Sequence, residues 1–143
     1  QILEANYNAP RLYLAGVYER GYQLAGLLQE AMRAANAQPE VICLPVHKDF
    51  TRQHELADLN LEAGRPIIVV DDVLYTGRTM FDVLVVLNGY APSRLQVATL
   101  IDRGHKYWPV AANFVGLELA TTLQEYVSVT IDEATQQIEA FLD

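Results

Sequence analysis

Apolar residues recur along this chain in two rhythms that alternate. "RLYLAGV" (11–17) is a short apolar run closed by "ERG", the mark of a buried strand. From Tyr22 to Asn36 the apolar positions Leu24, Leu27, Leu28, Ala31 and Ala35 fall at helical spacing, and Pro39 ends that element. "EVICLPV" (40–46) reads as a second strand, rich in β-branched residues, and "PIIVV" (66–70) as a third, apolar on successive residues and so covered on both faces. In "TMFDVLVVLN" (79–88) the valines favour a strand, but Met80, Val83, Leu84 and Leu87 lie on one helical face. Thr79 as a cap and Asn88-Gly89 as an end make it a helix. "LQVATLI" (95–101), "NFVGLEL" (113–119) and "YVSVTI" (126–131) predict further strands, and "DEATQQIEAFL" (132–142) a closing helix.

Strands that alternate with helices predict an α/β fold with a central parallel sheet flanked by helices. Ligands then sit outside the carboxyl ends of the strands. The polar stretch 47–64 has no sustained period and reads as a long excursion from a single domain spanning 1–143. The first residues open in helical phase without a cap or a starting Met, so a first helix is expected to begin upstream.

Composition narrows the function classes. Hydrophobic residues at 51% and charged residues at 20% indicate a globular chain, and no apolar run approaches the roughly 18 residues of a membrane span. No basic region followed by an apolar stretch marks a signal peptide at the start. One cysteine, Cys43, cannot form an internal disulfide, and three scattered histidines lack zinc spacing, so a reducing cytoplasm is expected. The net charge of −8 argues against nucleic acid, whose binding draws on Lys and Arg neutralising phosphates.

The chemistry concentrates at "VVDDVLYTGRT" (69–79). The turn Tyr75–Thr79 stands before a helix, where backbone N–H groups and the helix dipole favour an anion. Gly77 permits close approach and positive φ, and Thr76 and Thr79 add hydroxyls. This fits one phosphate, without the glycine and lysine spacing of a P-loop or the glycines of a dinucleotide fingerprint. Asp71 and Asp72 suit sugar hydroxyls or the waters of a Mg²⁺ ion. Carboxylates beside a phosphate repel it unless something separates them, and a ribose does so, with hydroxyls at one end and a 5′-phosphate at the other. The plainer alternative is that the aspartates cap a turn and a helix.

Four apolar residues, two acidic residues and a turn ending in Thr-Gly-Arg-Thr resemble the phosphoribosyl pyrophosphate (PRPP) motif of the type I phosphoribosyltransferases. "DDVLYTGRT" and "RLQVATLIDRGHKYWPV" resemble the bifunctional pyrimidine-operon attenuator and uracil phosphoribosyltransferase family. "LAGVYERGYQLA" is similar to that family's first strand, pyrophosphate loop and helix. The resemblance implies a type I phosphoribosyltransferase-like sheet with a small hood and a lid loop over 47–64. It implies that Asp71 and Asp72 hold the ribose hydroxyls, directly or through water and Mg²⁺, and that Tyr75, Thr76, Gly77, Arg78 and Thr79 form the 5′-phosphate loop. Glu19, Arg20 and Gly21 would form the pyrophosphate loop, with Arg20 facing the departing diphosphate. Asp102, Arg103 and His105 fall where the base pocket lies, with Trp108 either lining it or packing as core, and Lys48 and Asp49 stand in the lid. The implied reaction joins a pyrimidine base, uracil, to PRPP with Mg²⁺ to give a nucleoside monophosphate, in a homodimer or larger homo-oligomer.

The chain departs from the family at three places. "HKDF" puts Phe50 where an acidic residue of an Arg-Asp-Asp run is expected, and the lid region is short. Tyr75 stands where purine relatives place an aspartate, so no base for N–H deprotonation is evident. Ala111 and Leu117 replace basic residues of the family's late segment, and no specific RNA binding is expected. Two alternatives stay open: a nucleotide-sensing regulator with weak or no catalysis, and a structural α/β domain with a chance motif.

Overall fold

Successive buried residues of the 11–17 run need cover on both faces, and the chain supplies it with helices on either side of a parallel sheet. The computed structural model describes residues 1–35, 38–48, 60–122 and 124–143. Its elements are α1 (Ile2–Ala5), β1 (Arg11–Val17), α2 (Arg20–Ala35), β2 (Glu40–Val46), β3 (Pro66–Leu74), α3 (Arg78–Asn88), β4 (Arg94–Asp102), β5 (Phe114–Glu118), β6 (Val127–Asp132) and β7 (Gln137–Leu142). Five strands form one sheet in the order β2-β1-β3-β4-β5, every neighbouring pair parallel. The chain winds one way from β1 to β2 and the other way from β3 to β4, so the order reverses between β1 and β3. That switch point opens a crevice at the strands' carboxyl ends, where a ligand fits.

Two buried clusters lie on the two faces. One gathers Tyr13, Ala15, Val17, Val69, Met80, Val83 and Leu87 beneath α3. The other gathers Leu12, Leu14, Leu24, Ala25, Met32, Ile68 and Val70 beneath α2. Alternate residues of β1 and β3 divide between them, as a strand's period of two requires. A third cluster of Val73, Ile101, Val127 and Val129 joins the ends of β3 and β4 to β6.

Three expectations are corrected. The residues 132–142 form no helix: Asp132 Oδ1 accepts the amides of Ala134 (3.0 Å) and Thr135 (3.2 Å), Gln136 takes φ 58°, and the chain returns as β7, antiparallel to β6. An aspartate that accepts following amides serves a turn as well as a helix cap. Here the pairing of Val127 with Leu142, Val129 with Ala140 and Ile131 with Ile138 decides for the turn. The strand expected over 66–70 runs on to Leu74, because β4 continues beside it as far as Leu74 opposite Asp102. The cap of α3 is Gly77 rather than Thr79. The centre of the lid excursion, residues 49–59 with Asp49 and Phe50, lies outside the described residues.

Gly16 and Gly26 give opposite predictions. A Cβ on Gly16 would lie 2.4 Å from the Tyr22 Cα and 2.7 Å from the Gly21 carbonyl, both backbone, so α2 would have to shift off β1. A Cβ on Gly26, within α2, would meet nothing within 4 Å. Gly16→Ala is expected to lower unfolding free energy by about 1–3 kcal/mol. Gly26→Ala should raise it by about 0.5–1 kcal/mol. Urea titrations followed by circular dichroism check both signs.

Candidate active site at the sheet switch point

The site begins with a close backbone contact. A Cβ on Gly21 would lie 2.4 Å from the Val70 carbonyl and 3.1 Å from the Asp71 Cα, so only glycine lets the first turn of α2 rest on β3. Tyr18 and Glu19 bridge β1 to α2, with a cis peptide between them, and the Tyr18 amide donates to the Val46 carbonyl at 2.8 Å. This brings the predicted pyrophosphate loop against the predicted ribose carboxylates. Val17, Tyr18, Glu19, Arg20, Gln23, Lys48, Asp71, Asp72, Thr130 and Ile131 line one polar cavity of about 370 Å³. Its residues come from β1, α2, β3, β6 and the chain after β2.

The two aspartates occupy consecutive positions of a strand and differ in environment. Asp71 is only 7% exposed, while Asp72 is half-buried. Asp71 Oδ1 accepts the Asp72 amide at 2.9 Å, and Asp72 Oδ1 accepts the Val73 amide, also at 2.9 Å. Burial pushes the Asp71 carboxyl up to about 8. The hydrogen bond and charge of Asp72 push the same way, against the backbone amide of Asp72 and the positive charge of Lys48. Thr99 supports the pair from β4, its Oγ1 3.2 Å from the Asp72 carbonyl.

Beyond Leu74 the turn Tyr75–Thr79 leads into α3 without lining that cavity. Gly77 takes φ 88° as N-cap, a conformation suited to glycine, and no side chain caps the helix. The Thr76 carbonyl accepts the amides of Tyr107 (2.8 Å) and Trp108 (3.1 Å), which fix the turn. Arg78 lies over the Trp108 ring, 5.5 Å from its centroid. Trp108 packs at the edge of the buried cluster beneath α3. Tyr75 is engaged with the C-terminal segment. Its hydroxyl donates to the Val127 carbonyl, and its ring stacks on Tyr126 at 6.1 Å between centroids.

Asp102, Arg103 and His105 form a second group, separate from the aspartate cavity, along a cavity of about 580 Å³ shared with Gly104, Lys106, Glu118, Leu119 and Ala120. Their side chains are engaged. Asp102 pairs with Lys106 (2.8 and 2.9 Å) and accepts the Gly104 amide (2.9 Å). Arg103 donates to Thr121 Oγ1 (2.7 Å) and to the carbonyls of Thr122 (3.0 Å) and Glu125 (2.6 Å), while His105 Nε2 meets the Thr121 carbonyl. Sequence reasoning missed Gln23, Thr130 and Ile131 in the first cavity and Lys106 in the second. Lys106 had a signal, a cation four residues after Asp102; Thr130 and Ile131 had none, since β6 reaches the site only through tertiary packing.

A family model, described as the phosphoribosyl transferase domain, matches residues 1–133. This chain belongs to the phosphoribosyltransferase family. It is 34% identical over 141 residues to the "Pyrimidine operon regulatory protein" of Lactococcus lactis subsp. lactis, covering 93% of this chain and 80% of that one. It is 33% identical over 155 residues to the "Bifunctional protein PyrR" of Macrococcus caseolyticus, covering 99% and 87%. Among solved structures, a hypoxanthine-guanine phosphoribosyltransferase from Bacillus anthracis matches with a TM-score of 0.69 at 18% identity, over 89% of this chain and 73% of that one. The enzyme from Leishmania tarentolae in complex with GMP matches with a TM-score of 0.68 at 15% identity, over 88% and 73%. The type I phosphoribosyltransferase sheet expected from the motifs is therefore the fold observed.

The buried Asp71 gives a pH prediction. A carboxyl whose folded value is raised binds its proton more tightly folded than unfolded, so stability is highest below the unfolded value near 3.8 and falls as pH rises towards 8. Asp71→Asn keeps the acceptor for the Asp72 amide and removes the titration. In metal-free buffer its melting temperature relative to the parent should climb from pH 5 to about pH 8 and level off above it. A difference that stays flat with pH would count against a raised carboxyl at this position.

Proposed function

We propose that the protein transfers the ribose 5-phosphate of PRPP to the pyrimidine base uracil, giving UMP and pyrophosphate. The shared cavity carries this reading: Glu19 and Arg20 line it together with Asp71 and Asp72, and the strand bearing the aspartates leads through the Tyr75–Thr79 turn to a helix start with no side-chain cap. Asp71 and Asp72 hold the ribose hydroxyls. The amides at the start of α3, with Thr76, Gly77, Arg78 and Thr79, hold the 5′-phosphate. Arg20 and Lys48 receive the diphosphate as its bond to C1′ breaks, and a base nitrogen bonds to the oxocarbenium-like C1′ from the side of the Asp102–His105 cavity, its proton passing to the departing diphosphate or to water. The protein contributes position and preset charge rather than covalent chemistry.

The donor set suits a metal that arrives with its substrate. Among the described residues no three His, Cys, Asp or Glu side chains form a metal cage. Two neighbouring carboxylates beside a phosphate site are what Mg²⁺ takes when phosphates supply the remaining ligands. Asp71 and Asp72 would hold it through water. When bound it offsets charge on the leaving diphosphate.

The relatives named as a pyrimidine operon regulatory protein favour a second reading, a nucleotide-sensing regulator with weak turnover. Tight UMP binding without pyrophosphate release from PRPP and any base would favour it. Membership of a homodimer or larger homo-oligomer and a cytoplasmic site belong to both readings. No described helix is long and apolar enough to cross a membrane.

Pyrophosphate release measured with PRPP, Mg²⁺ and a panel of bases should be largest with uracil. Asp72→Asn should cut kcat/KM for PRPP by about 100-fold or more, the scale of losing a charged group that acts in the transition state, while circular dichroism stays unchanged. Equal turnover by parent and variant would remove the assignment. In low-salt filter binding, no nanomolar, sequence-dependent RNA affinity is expected of a chain with net charge −8.

A further inference from the structure

The hairpin of β6 and β7 makes no strand pairing with the main sheet, yet its Thr130 and Ile131 wall the cavity that holds Asp71 and Asp72. Two-stranded hairpins are marginal by themselves, so side chains must seat this one. Val127 and Val129 pack on Val73 and Ile101, which fixes depth but leaves sliding along an apolar surface cheap. Directional contacts fix the rest, and they converge on one residue. Tyr75, the first residue of the sugar-phosphate turn, gives its hydroxyl proton to the Val127 carbonyl at the start of β6. Its ring meets both Tyr126, which precedes β6, and the Arg103 guanidinium, 4.8 Å from the ring centroid. Arg103 in turn holds the carbonyls of Thr122 and Glu125 on the approach to β6. At the far end the only tie between hairpin and helix among the described hydrogen bonds joins Gln136 Nε2 to Glu30 Oε2, on an exposed surface.

We propose that Tyr75 is a latch: a positioning residue that joins the sugar-phosphate turn to the C-terminal hairpin, so that anion binding at the turn and seating of the hairpin over Asp71 and Asp72 form one equilibrium. The ligand half of this proposal rests on the phosphoribosyltransferase reading; the structural half does not. The hydroxyl stays protonated and available as a donor through neutral pH, since burial raises its ionisation to about 12. An anion that orders the turn orders Tyr75, and Tyr75 then holds β6 more tightly. By reciprocity a seated hairpin raises anion affinity. Tyr75 thereby serves the site without touching substrate.

Tyr75→Phe keeps the stacking on Tyr126 and the Arg103 contact and removes only the hydrogen bond. Amide hydrogen exchange of the ligand-free protein should show residues 127–132 exchanging about tenfold faster in the variant, with β1 and α2 unchanged, as expected when one part-buried hydrogen bond is lost locally. Unchanged exchange in β6 would overturn the latch whether or not the protein proves to be an enzyme. Inorganic phosphate or ribose 5-phosphate should slow β6 exchange in the parent and not in Tyr75→Phe, and KM for PRPP should rise by a larger factor than kcat falls. If the parent binds either anion and β6 protection is the same in both proteins, the coupling is wrong. If the parent binds neither anion, the sugar-phosphate reading fails and the exchange of the ligand-free pair alone decides the latch. Arg103→Gln, which removes the guanidinium contact with the Tyr75 ring and the carbonyl ties, should loosen the same six residues; loosening spread evenly over the chain would mark a general loss of stability instead.

Discussion

The absence of a side chain at Gly21 sets the geometry of this protein. Because nothing stands between the first turn of α2 and the Val70 carbonyl, the helix start rests directly on β3 beside Asp71. The side chains before and after Gly21 then share a cavity with the two aspartates. A methyl group there would push helix and strand apart at the one place where the sheet order reverses. The crevice of an open parallel sheet is a generic feature; what is particular here is that the start of α2 brings Glu19 and Arg20 into one cavity with two carboxylates.

That closeness has an electrostatic cost, visible in Asp71. Burial and the neighbouring Asp72 both oppose its ionisation, and the surroundings answer only partly, with one amide and the charge of Lys48. Such tension is common where groups are arranged for a ligand rather than for stability. It suits a site completed by substrate-borne cations and hydroxyls. In the second group, by comparison, Asp102 pairs with Lys106 and Arg103 donates to Thr121, Thr122 and Glu125. The two cavities thus differ in how far their charges are already paired within the protein.

The hairpin shows how a small element can be recruited to a site from the end of a chain. Its inner face alternates as a strand must, with Val127, Val129 and Ile131 of β6 matched by Leu142, Ala140 and Ile138 of β7. Only the β6 side is deeply buried, and β7 remains exposed along its length. Packing therefore ends at the middle of the hairpin, and hydrogen bonds from the turn and from Arg103 supply the direction that apolar contact lacks.

Much of this was legible in the sequence, because strands buried on both faces leave uninterrupted apolar runs and the doubled aspartate with its glycine turn is a local arrangement of backbone and charge. The runs at 11–17, 40–46 and 95–101, the helix after Gly21 and the glycine turn before α3 needed no partner to be recognised. What required the tertiary structure was every assignment that depends on a neighbour. Asp132 offers its carboxylate to following amides whether a helix or a turn comes next, and only the open edge of β6 chose the turn. Asp71 and Asp72 are strand residues because β4 extends beside them. Tyr75 lies in the turn by sequence and belongs to the hairpin by contact, since a side chain's direction is set by the surfaces that meet it and not by its place in a motif.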